Sequence, residues 1–361
     1  MKIISLYITK ELLIYTLAVM FIWLSVYAMF NYLAEIEKIG QANYTPLVAL
    51  IYVALDLPSI AYSHSPVIVL LGSILATGNL ATTSQLVVMQ GSGMSILQIN
   101  KVVVSAAFIF IAVIFIIGEA LAPIANERAE IFRAKALGQN IYSISYDGFW
   151  IRDGDNIINV KNNFDGKVFG DVSVFSINKS NELDFAVFAE NAILDGDRLR
   201  LVNADKNIIN ETPESTKIQI DKLIEYEELV SFDTEFLESL KKDPKDLSIF
   251  SLYRHISFLK ENKLAVGYYE VEFYKRLIKP VTLIAMILLS MLFIFGSLRS
   301  ASLGKKIFLG IMLSLFFELS LRIGGAISLS LGFNLLLITF LPSLLVLVVA
   351  LLLIYIRSTR W

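Results

Sequence analysis

Few residues in this chain could do chemistry, and their types are restrictive. Cysteine is absent, so thiolate chemistry and disulfides are excluded. His64 and His255 stand far apart in the chain, which argues against a histidine-based metal site. Gly304-Lys305-Lys306 invites a phosphate-loop reading but fails the pattern. Arg299 stands where the first glycine is required, and Lys306 stands where Ser or Thr should meet magnesium. Paired intramembrane aspartates, a Ser-Lys dyad and His-Glu-x-x-His are all missing. The residues therefore imply no catalytic constellation and no cofactor. If the protein moves something with ATP, a separate chain must hydrolyse it.

What remains is charge in apolar surroundings. Glu318 and Arg322 sit four residues apart inside an apolar run. Charges at that depth are costly and usually face a bundle interior or a wet cavity, often as a pair. The pair either balances itself or lines such a cavity. Lys38, Arg276 and Lys279 fall near the outer ends of apolar runs. They read either as snorkelling side chains or as a cationic rim for a phosphorylated amphiphile.

Residues 57–100 carry no Asp, Glu, Lys or Arg. That run is too long for one span, so the chain must break inside it, with Gly78-Asn79 as the exit. Thr82, Thr83 or Ser84 could cap a short helix, and Gly91 and Gly93 could end it. Leu86, Val87, Val88 and Met89 would then form a small apolar knob on the cytoplasmic side. The knob is either an ordinary hairpin in the lipid interface or a coupling helix seated in a partner's groove.

The elements that hold these residues follow from hydropathy. Hydrophobic residues make up 56% of the chain and charged ones 18%, with a mean hydropathy of +0.65. Six apolar stretches, 12–33, 47–78, 102–123, 280–298, 307–331 and 333–356, can each supply the ~20 residues of a membrane helix. With the N-terminus inside, Lys2, Lys10, Lys101, Arg299, Lys305, Lys306, Arg357 and Arg360 are all cytoplasmic, as the positive-inside rule requires. Both termini are then cytoplasmic, and the polar block 137–246 lies outside. That block alternates like β-structure, with turns at Asp153-Gly154 and Asp195-Gly196-Asp197. Several short strands point to a sandwich, jelly roll or barrel. Leu252, Ile256 and Leu259 give 247–260 a helical spacing that leads back to the fourth span.

The expected fold is thus a polytopic α-helical membrane protein. Six transmembrane helices stand in two groups of three around an inserted all-β, jelly-roll-like domain. The divisions are 1–123, with the coupling helix near 79–95; 124–270 for the outer domain with flanking helical connections; and 271–361. A net charge of −2 gives no reason to expect a nucleic-acid partner.

Over essentially its whole length the chain resembles the lipopolysaccharide export permeases LptF/LptG, and the G-type member more closely. The resemblance is carried by Leu70-Leu71-Gly72 through Gly78-Asn79-Leu80-Ala81, then Ser84-Gln85-Leu86-Val87-Val88-Met89-Gln90 and Gly93. It continues in Gly40-Gln41 with Tyr44, Gly118-Glu119 with Ala122-Pro123, and Gly148-Phe149-Trp150 with Asp153-Gly154. After the domain come Lys279-Pro280, Phe293-Ile294-Phe295-Gly296 and Leu298-Arg299-Ser300. The resemblance implies a permease of the inner membrane of a Gram-negative bacterium. Its partners would be an F-type sibling, a dimer of the ATPase LptB, LptC and the periplasmic bridge protein LptA. Ser84, Gln85, Leu86, Val88, Met89 and Gly93 would couple to the ATPase. The phosphate-binding role that the resemblance implies carries over to Lys38 only; by depth in the spans, Arg276 and Lys279 join Lys38 as expected phosphate contacts, with Phe21, Phe30, Phe316 and Phe317 as apolar walls. Two departures stand out. Gln85 replaces the family's usual acid, and Lys38 is the only base beside Asn31, Glu35 and Glu37. A different class, a membrane-anchored sensor or adhesion scaffold, is disfavoured because six spans exceed an anchor's needs and no output domain is present.

Overall fold

A computed structural model describes residues 2–138, 148–164, 167–178, 182–212, 215–239, 243–295 and 302–358. The motif at 296–300 and Arg360 lie outside the described residues. The chain divides into two compact units, one of residues 1–39, 45–130 and 267–361, the other of 40–44 and 131–266.

The first unit is helical: α1 Lys2–Glu35, α2 Pro46–Ser63, α3 Ser65–Thr82, α4 Gln85–Gly91 and α5 Ile96–Ile116. A π-turn, Ile117–Leu121, joins α5 to α6, Ala122–Ala136, whose residues from Ile131 onward belong to the second unit. The unit closes with α9 Gly267–Phe295, α10 Leu303–Leu331 and α11 Leu335–Ser358. Seven helical segments among the described residues are long and apolar enough to cross a membrane, where six stretches were expected. The extra one comes from the second stretch, which breaks at His64 into α2 and α3. Pro66 causes the break, since it has no N–H to give the Tyr62 carbonyl and its ring crowds the preceding turn. The Ser65 hydroxyl donates to that carbonyl instead, at 2.7 Å. Helical bonds still cross the joint, His64 N–H to Ile60 and Ile68 N–H to the His64 carbonyl. One residue at φ −91°, ψ 7° cannot reverse the chain, so α2 and α3 run onward as one broken pass.

The third stretch also runs on beyond its expected end at Pro123. Here the proline is accommodated by the π-turn: Ala122 N–H reaches back five residues to the Ile117 carbonyl. Close approach holds the bundle together, as expected where lipid supplies little hydrophobic drive. A Cβ on Gly72 would collide with Thr16 of α1, and one on Gly118 would enter the Tyr62 ring. Ile8, Leu12, Val69, Leu80, Leu283 and Ile287 form the packed centre.

The second unit holds β1 Phe149–Asp153, β2 Asn156–Asn163, β3 Val168–Ile177, β4 Leu183–Asp195, β5 Arg198–Thr212 and β6 Ser215–Leu229. Its helices are α7 Thr234–Ser239 and α8 Ile249–Glu261. The strands form one antiparallel sheet in sequential order. The inserted β-domain is as expected, and among the described residues its strands connect as a meander rather than with the crossovers of a jelly roll proper. Gly154 and Gly196, both at positive φ, make the two-residue turns between β1 and β2 and between β4 and β5. The sheet curls strongly. Four strand spacings would put β2 and β6 about 19 Å apart in a flat sheet, yet Asn156 Nδ2 donates to Glu228 Oε1 at 2.7 Å. Asp153 at the β1 end likewise accepts from the Ser231 N–H and hydroxyl just past β6.

Pairing is interrupted along one line across this sheet. Lys161, Asp171, Glu190, Asn203 and Ile224 would form a continuous cross-strand row, and each is skipped in the register. Asp171 and Asn203 take positive φ there, 51° and 54°. The buried positions change parity across the line, from Phe169 to Val172 in β3 and from Leu201 to Ala204 in β5. The ladder is broken along this row with one residue skipped on each strand, and the strands are re-aimed across it.

Candidate functional site

The short helix α4 exists because two irregular ends isolate it. Ser84 enters it in the left-handed conformation without a side-chain cap. The expected Thr82, Thr83 or Ser84 cap is not made: the two threonine hydroxyls donate back to the Asn79 carbonyl. The exit is a Schellman motif, with Gly93 N–H on Gln90, Met94 N–H on Met89 and Gly93 at φ 93°. Gly93 is thus the residue that stops the helix. Leu86 and Met89 are buried among α1, α3 and α5 side chains, while Val87 and Val88 are 50% and 70% exposed. Of the expected coupling residues, Val88 faces outward and Leu86 and Met89 do not. Their spacing explains this, because positions three apart share the inward face. The Gln85 Oε1, where the resemblance expects a carboxylate, is buried and has no hydrogen-bond partner.

The three expected rim cations occupy different settings. Lys38 is bonded to Glu35 at 2.8 Å, one turn away at the end of α1. Arg276 is only 6% exposed and pairs with Glu119 at 2.6 Å. It also donates to the Gly118 carbonyl at 3.3 Å, beside the π-turn. Lys279, one turn further along α9, donates to the Ser63 carbonyl at 3.4 Å, beside the α2–α3 joint. Both cations lie over the Tyr62 ring, at 4.9 and 4.0 Å. Arg276 and Lys279 therefore tie α9 to the two irregular points in the neighbouring passes. An open rim at Arg276 is corrected to a buried ion pair. The signal that could have found it was Glu119, the one acid in an otherwise apolar stretch.

Glu318 and Arg322 do bond each other, at 2.9 Å along α10. Their side chains are 36% and 67% exposed, so the pair points away from its own bundle. Phe21, Phe30 and Phe316 are exposed along α1 and α10, whereas Phe317 is 5% exposed and packs against Leu70, Ile74, Met286 and Phe293. Phe317 is a core residue and not a wall. Its neighbour Phe316 points the other way because successive residues on a helix diverge by about 100°. Among the described residues no group of acids and histidines could hold a metal ion.

Comparison with known proteins places these features in a family context. The family model described as lipopolysaccharide export system permease LptF/LptG matches residues 6–356. A lipopolysaccharide export system permease protein LptG of Haemophilus influenzae is 31% identical over 347 residues, 95% of each chain. Its counterpart of the same name in Escherichia coli K12 is 27% identical over 339 residues, 93% of each chain. The match spans the helical passes and the inserted sheet alike.

Proposed function

The chain belongs to the lipopolysaccharide export permease family LptF/LptG, and on that premise we propose that it is the G-type half of a two-permease exporter driven by a separate ATPase. It is a permease component, and the chemistry of ATP cleavage lies in a partner of the LptB kind, present as a dimer. The F-type sibling, LptC and the bridge protein LptA complete the assembly. The protein is a multi-pass protein of the inner membrane, with both termini and α4 cytoplasmic and the β-unit periplasmic.

Lipopolysaccharide enters from the outer leaflet against the apolar faces of α1 and α10, where Phe21, Phe30 and Phe316 are exposed. Lys38 remains the basic contact for a phosphate, with Glu35 tuning how readily it is released. Lys279 stabilises the helix joint first, and a phosphate contact there would require it to leave Ser63. Glu318 and Arg322 face the space between this permease and its sibling, where a charge pair can stay wet.

The observation that carries the coupling is the exposed Val87–Val88 edge of α4 on an uncharged segment, in a chain without a phosphate loop. An aspartate at Val88 would set a charge against an apolar groove and remove burial that contributes about 1.5–3 kcal/mol for a full side chain. Val88→Asp is expected to abolish ATPase copurification while leaving the permease's own melting temperature near the parent's. Met89→Asp is expected to destabilise the permease itself. ATPase copurification that survives Val88→Asp undiminished rejects α4 as the docking element.

A further inference from the structure

The skipped row across the β-sheet opens a groove of about 540 Å³, within the size range of small-ligand sites, about 300–1,000 Å³. Its lining has three carboxylates, Asp171, Glu190 and Asp205, and two cations, Lys161 and Lys222. Asp171 accepts one bond from Asn162 at 3.3 Å. The opposite charges lie close together, yet among the described residues none of the five forms a salt bridge with another. Asn203 and Ser173 add amide and hydroxyl groups. The groove is therefore dense in unused donors and acceptors and nearly balanced in charge.

An aromatic shelf borders it. Trp150, Ser173, Phe188, Asp205 and Lys222 share one cross-strand row, and so one face of the sheet. Trp150 is 67% exposed and stacks on Phe175, whose other neighbour is the ring of Phe188. Carboxylates outnumber lysines, which disfavours a polyanion. The polar floor disfavours an acyl chain. Flat exposed rings beside mixed hydrogen-bonding groups suit a polyhydroxylated ring, whose C–H face stacks while its hydroxyls bridge acids, amides and lysines.

We infer that this groove on the polar face of the β-sheet is a saccharide site, holding part of the sugar portion of the exported glycolipid outside the sheet. The assignment rests on the export reading, because that reading supplies a substrate carrying sugars. It adds a second point of recognition, separate from the phosphates and the acyl chains. The missing ladder bonds along this row are what leave the groove open, so the site follows from the same backbone feature that re-aims the strands.

The test uses the full chain assembled with its sibling permease and ATPase in nanodiscs. The probe is the lipid-free core oligosaccharide obtained by mild acid hydrolysis and then dephosphorylated, followed by saturation-transfer NMR and calorimetry. The parent should bind it. Glu190→Ala/Asp205→Ala should weaken binding about tenfold or more, since two charge-assisted bonds are lost. Phe188→Ala, which removes only the shelf, should also weaken it. Both variants should keep ATPase stimulation by lipid A, which lacks the core oligosaccharide. Absence of oligosaccharide binding to the parent, or parental binding by both variants, overturns the saccharide site while lipid A stimulation leaves the export reading standing. Loss of sibling copurification in the double variant with sugar binding intact would make the groove a protein contact and also overturn it. Absence of stimulation by both lipid A and whole lipopolysaccharide in an intact complex would instead strike the export reading.

Discussion

Removing Arg276 should damage the helical unit more than removing it together with Glu119. The two side chains are 6% and 12% exposed and 2.6 Å apart. Arg276→Met keeps the bulk of the stem but leaves Glu119 buried without its salt bridge, and breaking such a pair costs about 3–5 kcal/mol. At about 1.4 kcal/mol per factor of ten, the folded-to-unfolded ratio falls by about two to three and a half orders of magnitude. Arg276→Met/Glu119→Gln removes both charges, and much of that cost should return, since well-packed neutral replacements of a buried pair are often close to neutral. Some penalty stays because the Gly118 carbonyl loses its donor at the π-turn. The assay is the thermal midpoint in detergent for the parent, both single changes and the double, read beside lipopolysaccharide-stimulated ATPase activity of the assembled complex. The expected order of stability is parent, then double, then Arg276→Met, with stimulation retained in the double. A double variant as unstable as the single refutes the argument from the ion pair. A stable double variant that has lost stimulation would show that Arg276 meets the substrate phosphate after all.

Glu318 and Arg322 should behave differently, because they are exposed on α10. Arg322→Leu should impair lipopolysaccharide stimulation more than Glu318→Leu/Arg322→Leu, and equal damage in the same ATPase assay would mean that the pair contacts substrate or sibling directly. The β-unit should lose stability in acid. His255 is buried, stacked on Phe236 and bonded through Nδ1 to the Ser251 carbonyl, and burial with help from Arg254 holds its pKa below the usual value. A lowered histidine contributes stability that is whole above its ordinary pKa of about 6.5 and is lost as pH falls through the folded value. Burial alone would raise the Asp233 carboxyl, but the Phe236 N–H and Arg254 hold it below its usual value. Its contribution persists down to about pH 3.9 and goes only below that. Melting of the full chain at about pH 7.5 and 5.5 should therefore show a drop that shrinks in His255→Gln, and an unchanged drop removes His255 as its source.

Much of this architecture was legible because hydropathy acts over long windows. The apolar runs, the inserted β-domain, both tight turns and α8 follow from periodicity and from Gly at positive φ. The α2–α3 joint was not, since Pro58 and Pro66 both lie in the run and only packing decides which one breaks it. The inward side of α4 was hidden for a similar reason: Leu86, Val87, Val88 and Met89 are equally apolar, and only helix phase separates the buried pair from the exposed one. Arg276 misled because a base near a span end usually snorkels. Its partner is 157 residues away, a separation that local spacing cannot span. The skipped row of the sheet left no trace in composition, because Asp171 and Asn203 look like ordinary exposed strand residues until the ladder is drawn.

The central claim is that this chain moves lipopolysaccharide out of the membrane when a partner hydrolyses ATP. The most direct measurement places the chain, its F-type sibling and the ATPase in lipopolysaccharide-loaded liposomes, with a photo-crosslinking soluble acceptor of the LptA kind outside. Lipopolysaccharide adducts on the acceptor should grow with time, require ATP and vanish with Val88→Asp. An intact, ATP-hydrolysing complex that yields no adduct above the ATP-free control would contradict it.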